Sequence, residues 1–159
     1  MPKTCLVNKL EFIWADSVNQ AKIKIIAALN NWRRVYEFIE NFVSSLGISK
    51  SEISKILLSC EEVFVNVSRY AYPQSMGSIE VEAIYLEDSS ELKITFKDSG
   101  VPFDPTVWEP ENLNMSPSKR KIGGLGIFMV KSMMDKMEYE YTNNTNKLVI
   151  IKKINLGGC

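Results

Sequence analysis

Apolar residues recur at two different periods along this chain, and the switches between those periods mark its elements. From Val7 to Trp14 the residues suit an opening strand, with Phe12 and Trp14 on one side of the pleat. Between Leu29 and Leu46 the spacing changes. Trp32, Val35, Phe38, Ile39, Phe42, Val43 and Leu46 recur every three or four residues, which predicts an amphipathic helix stopped by Gly47. A second helix comes next. Ser49 is placed to cap it, with Glu52 three residues later in the capping-box arrangement. Its apolar face comprises Ile53, Ile56, Leu57, Cys60, Phe64, Val67 and Ala71, and Pro73 and Gly77 limit its length.

The period then drops to two. Ile79, Val81, Ala83 and Tyr85 alternate with other residues, and so do Leu92, Ile94 and Phe96, around a Glu87-Asp88-Ser89-Ser90 turn. This predicts a β-hairpin. Residues 101–122 break the pattern, with Pro102, Pro105, Pro110 and Pro117 and a basic end at Lys119-Arg120-Lys121. A segment of that length without periodicity inside a folded domain is usually functional or disordered. The run IGGLGIFMVKSMMDKM restores a helical pattern, with Ile127, Val130, Met134 and Met137 as its buried positions. Two strands close the chain, Glu138 to Thr142 and Leu148 to Ile154, joined by Asn143-Asn144-Thr145-Asn146. The order β-α-α-β-β-lid-α-β-β predicts one α+β domain over residues 1–159. We expect a two-layer sandwich, a mixed but mainly antiparallel sheet with helices on one face.

Composition narrows what such a domain can do. The chain has no histidine, so Ser-His-Asp and Cys-His catalysis, histidine-ligated zinc and a phosphohistidine within the chain are all excluded. Lysine plus arginine equal aspartate plus glutamate at 19 each, without the basic excess expected of a nucleic-acid binder. Cys5, Cys60 and Cys159 are odd in number and widely spaced, which fits a reducing compartment. No apolar run is long enough to span a bilayer, and the first residues lack a signal-peptide h-region. A cytoplasmic protein is expected, without nucleic acid or membrane as a partner.

Three places carry candidate chemistry. Glu62 and Asn66 lie four apart on the second helix, hence one above the other. At about 100° per residue that face turns more than a right angle away from the Cys60-Phe64-Val67 stripe. A carboxylate and an amide there suit a magnesium-bound phosphate, since Mg²⁺ takes oxygen ligands; alone, the pair also reads as a solvated helix face. Asp98 continues the inward parity of Leu92, Ile94 and Phe96, so its carboxylate needs a buried partner. An N–H donor such as the exocyclic amine of adenine would serve, and Gly100 would let the backbone approach that ligand. Alone, Asp98 also reads as a residue ending a strand. Gly123, Gly124, Leu125 and Gly126 open a helix, where free backbone N–H groups and the dipole favour a phosphate. Without a following GK[ST], they also read as a flexible turn.

Taken together, these segments resemble the Bergerat-type, histidine-kinase-like ATP-binding fold. Within it they resemble the anti-sigma-factor serine/threonine kinase family. CEEVFVN is similar to that family's N box, DSGVPFDP to its first glycine box, and GGLGIFMVKSMMDKMEY to its second. The resemblance implies that Asn66 binds magnesium, Glu62 is the general base, and Asp98 contacts adenine beside Gly100. It implies that Gly124, Leu125 and Gly126 lie near the phosphates of ATP. It departs from the family at Tyr70, where many relatives carry histidine, and at Ile122, where some kinases carry an arginine that reaches the γ-phosphate. Lys121, with Arg120 and Lys119, is the nearest basic substitute.

The resemblance therefore implies an ATP- and Mg²⁺-dependent kinase. It would phosphorylate a serine of an anti-sigma-factor antagonist and sequester a sigma factor, and it admits a homodimer. The alternative is a nucleotide-gated protein-binding module without phosphotransfer.

Overall fold

The computed structural model describes residues 19–107 and 124–155. The Val7–Trp14 strand, most of the proline-bearing segment, Gly123, Ile122 and Lys121 with its basic neighbours lie outside them. The first described strand, β1, is Gln20–Ile26. The sequence reading assigns no strand here, although Ala21, Ile23 and Ile25 alternate as buried residues with Gln20, Lys22 and Lys24.

A 3₁₀ turn at Leu29–Asn31 leads into α1, Trp32–Ser45, which buries Val35, Phe38, Ile39, Phe42 and Val43. Helix α2 runs Lys50–Asn66. The Ser49 hydroxyl accepts from the Glu52 N–H at 3.2 Å, satisfying one of the orphan donors at the helix start. Val63 joins the buried stripe, whereas Ile53 and Val67 are only half-buried. One π-helical turn, Val67–Ala71, extends α2 past Asn66. Such turns are rare and cluster at functional sites.

Strands β2, Ser78–Leu86, and β3, Glu91–Asp98, form the expected hairpin with its Glu87–Ser90 turn. Helix α3 is Gly124–Met133, and β4, Lys136–Thr142, pairs with β5, Thr145–Lys153. The sheet order is β1-β2-β3-β5-β4, and every pairing among the described strands is antiparallel. One face carries Ile23, Val81, Ile94 and Ile150 under α1 and α2. The other face carries cross-strand charges such as Lys22–Glu80 and Lys97–Glu80. Helix α3 packs on α2. The architecture is thus the two-layer α+β sandwich read from the sequence.

Two boundaries differ from the sequence reading. The helix over IGGLGIFMVKSMMDKM ends at Met133, so Met137 lies half-buried on β4 instead of in a helix core. The backbone leaves the helix because the Asp135 N–H donates to the Ile151 carbonyl at 2.9 Å, starting the next strand pair. The Lys152 ammonium donates to the Met133 carbonyl at 3.0 Å and caps the helix end. The final turn is also shorter than expected. Only Asn143 and Asn144 form it, with φ of 51° and 58°, the left-handed pair of a type I′ hairpin turn. Thr145 and Asn146 therefore belong to β5.

Candidate nucleotide-binding site

That shift of two residues matters, because the β3–β5 register places Asn146 opposite Asp98. Both are buried polar residues, 6% and 7% exposed. The Asn146 amide Nδ2 donates to Asp98 Oδ1 at 2.9 Å and to the Gly100 carbonyl at 3.2 Å. The Gly100 N–H also donates to Asp98 Oδ1, at 2.9 Å. Both hydrogen bonds to the carboxylate fall on Oδ1, and no described residue donates to Oδ2.

Burial pushes the Asp98 carboxyl above its ordinary value, and the Gly100 and Asn146 donors offset this only in part. A raised native pKa means that the folded state holds its proton more tightly than the unfolded chain. Stability therefore falls as pH climbs from the ordinary aspartate range through Asp98's own pKa, and the loss persists at neutral pH. A residue that costs stability where the protein works is a candidate for ligand recognition.

Asp98 lies on the wall of a cavity of about 440 Å³. Its apolar lining includes Val63 and Val67 from the α2 side, Ile127 from α3, and Leu148 from β5. Its polar lining includes Asn66, Asp98, Tyr139 and Asn146, and Gly124 lines it as well. A concave, mostly apolar space with a few convergent polar groups is the usual form of a small-molecule site.

The candidate residues fall into three groups around this space. Asn66, Asp98 and Gly124 line it directly. Glu62 sits one helical turn before Asn66 and is not part of the lining; its carboxylate lies against Gly126, where a Cβ on that glycine would overlap it. No described residue engages the side chain of Glu62 or of Asn66 in a hydrogen bond or ion pair. The side chain of Leu125 is 60% exposed.

Gly100 meets a packing constraint besides the one its position suggested. A Cβ there would overlap the Ala71 carbonyl, because the Val101 N–H donates to that oxygen at 2.8 Å. The glycine is thus required by the end of the α2 extension, whatever it also allows to a ligand. Asn146 and Tyr139 escaped the sequence reading. The signal for Asn146 was the Asn-Asn pair, which favours a two-residue turn and so starts β5 at Thr145.

A model of the histidine kinase-like ATPase domain matches residues 25–152. The chain belongs to that family. The match spans α1 to β5 and so contains every described part of the cavity. Among similar proteins, the serine-protein kinase RsbW of Listeria monocytogenes serovar 1/2a is 26% identical over 122 residues, covering 74% of this chain and 76% of that protein. An anti-sigma F factor of Clostridium kluyveri is 23% identical over 136 residues, covering 86% and 94%. A crystal structure of RsbU and RsbW domains from Mycobacterium tuberculosis shares the fold, with a TM-score of 0.59 at 16% identity. That match takes in 84% of this chain and 32% of the solved one.

The residues present suit the ligand of a histidine kinase-like ATPase domain. An acceptor without a donor, Asp98 Oδ2, stands on the cavity wall, as an exocyclic amine requires. No cluster of three or more His, Cys, Asp or Glu that could hold a metal exists among the described residues. Asn66 offers a single amide oxygen, so Mg²⁺ here would be shared with phosphate oxygens and water, its ordinary habit in nucleotide sites. No helix among the described residues is long and apolar enough to cross a membrane.

Proposed function

We propose that this chain is an ATP-dependent protein serine/threonine kinase. In this reading it phosphorylates a serine of an anti-sigma-factor antagonist and binds a sigma factor. The observation that carries the reading is the placement of Asn66, Asp98 and Gly124 around one cavity, with Glu62 a helical turn away on the same helix. The names of the similar proteins, a serine-protein kinase and an anti-sigma F factor, support the choice of substrate and partner.

ATP bound in the cavity would supply the γ-phosphoryl group, and Mg²⁺ on Asn66 would offset negative charge on the phosphate oxygens. The protein's own residues do the rest. Asp98 accepts from the purine amine and fixes the base. The first N–H groups of α3, at Gly124 to Gly126, have no carbonyl one turn before them within the helix and so remain available to phosphate oxygens. Glu62 takes the proton of the acceptor serine as its Oγ–P bond forms and the bond to the β-phosphate breaks, with ADP leaving. With no histidine in the chain to receive it, the phosphoryl group would pass to another protein or to water.

The test is transfer of label. With Mg²⁺ and γ-labelled ATP, a candidate antagonist protein is expected to gain phosphoserine. Nucleotide-dependent partner binding without phosphoserine would favour the binding-module reading, to which Ile122 before the glycines also points.

A further inference from the structure

Tyr139 and Asn146 bear on how Asp98 is held, and their role rests on the ATP-binding reading above. Asn146 uses both ends of its amide. A carboxylate and a carbonyl can only accept, so Nδ2 must face Asp98 Oδ1 and the Gly100 oxygen. Oδ1 of Asn146 then faces the Tyr139 hydroxyl at 2.6 Å, and the phenol must be the donor. Burial raises the Tyr139 pKa, which keeps that proton in place at neutral pH. The chain of donors runs one way, from Tyr139 through Asn146 to Asp98 Oδ1.

Asp98 is thereby locked about its terminal torsion. Oδ1 is held by the Gly100 N–H and the Asn146 amide, so Oδ2 is the oxygen left for a ligand. Tyr139, Asn146 and Asp98 all reach the cavity. We propose that Tyr139 and Asn146 are positioning residues that present Asp98 Oδ2 as a fixed acceptor and so select a purine carrying an amine at C6. A purine with a carbonyl at C6 would set two acceptors against each other. One with only hydrogen there would leave the buried oxygen unpaired. Sites built to hydrogen-bond an N–H reject analogues that lack it far more strongly than apolar pockets reject a missing methylene.

The full chain, its Tyr139→Phe variant and its Asn146→Ala variant would be titrated with three Mg²⁺-nucleotides. These are ATP, inosine triphosphate (carbonyl at C6) and purine riboside triphosphate (hydrogen at C6). The unmodified chain is expected to favour ATP over purine riboside triphosphate by about 10–100-fold, the scale of a hydrogen bond to a charged group. Asn146→Ala should compress that preference to within about threefold, and Tyr139→Phe should compress it less. Tyr139→Phe keeps the ring and serves as the readout if Asn146→Ala does not fold. Equal loss for all three nucleotides would reduce the pair to structural support and overturn the proposal, as would an undiminished preference for ATP in both variants. An unmodified chain that binds none of the three would overturn the ATP-binding reading itself, and the positioning role with it.

Discussion

Glu62→Gln is expected to slow phosphoryl transfer to an acceptor serine by about 10²–10⁴-fold, the usual contribution of a positioned general base. Affinity for Mg²⁺-ATP should stay within about threefold, because the loss belongs to the transition state alone. The substitution is well matched to the question. Glutamine preserves the shape of the side chain that lies against Gly126, so α2 and α3 can keep their packing. No described residue pairs with the Glu62 carboxylate, so removing its charge leaves no orphaned partner in the resting protein. Single-turnover transfer from labelled ATP, run beside a calorimetric titration of the same variant, separates the two quantities. Transfer at the unmodified rate would remove Glu62 from the chemistry and leave the proton to another group.

The largest effect on stability is expected at Gly100. Gly100→Ala should cost about 2–4 kcal/mol, combining an overpacked contact with a weakened backbone hydrogen bond. The new methyl group would overlap the Ala71 carbonyl and Cβ, both held by the π-helical end of α2. Relief requires parting that turn from the segment after β3, and the 2.8 Å bond from Val101 to Ala71 would be lost with it. The same residue gives its N–H to Asp98 and its carbonyl to Asn146, so the displacement spreads into the nucleotide site. Denaturant unfolding of the variant measures the effect. A change under about 0.5 kcal/mol, the scale of a neutral surface substitution, would contradict this role of the glycine.

Local structure is easy to read from this sequence, and tertiary register is hard. Helices α1 and α2 are carried by three- and four-residue spacing that no other element type shares, and the Ser49 cap marks the start of α2 to the residue. The inward parity of Asp98 comes from period-two alternation along β3, and its burial at 7% exposed agrees. The partner of that carboxylate is not legible in the same way. Asn146 lies 48 positions along the chain, and only the β3–β5 register brings the two together. Its sequence neighbours, a run of Asn and Thr, look like loop. The end of α3 is hidden for a related reason. Met134 and Met137 fit the helical spacing, yet methionine packs equally well from a strand, and contacts with Ile151 and Lys152 end the helix. Strand β1 is visible in the alternation of Ala21, Ile23 and Ile25, but the more aromatic Val7–Trp14 stretch competes with it for the assignment. Gly100 shows what motif reasoning leaves out: it also lies against Ala71, a contact that no local pattern encodes.

Thermal unfolding with and without Mg²⁺-ATP, on the unmodified chain and on Asp98→Asn, tests the nucleotide site most directly. Ligand at a hundred times its Kd adds about 2.7 kcal/mol to the folded state, which for a domain of this size raises Tm by roughly 5–10 °C. Asp98→Asn changes only the carboxylate that faces the cavity, and its melting temperature should move little on adding the nucleotide. A rise with the unmodified chain that the variant loses is the predicted result. An equal rise in both would take the base away from Asp98, and no rise in either would contradict ATP binding in this cavity.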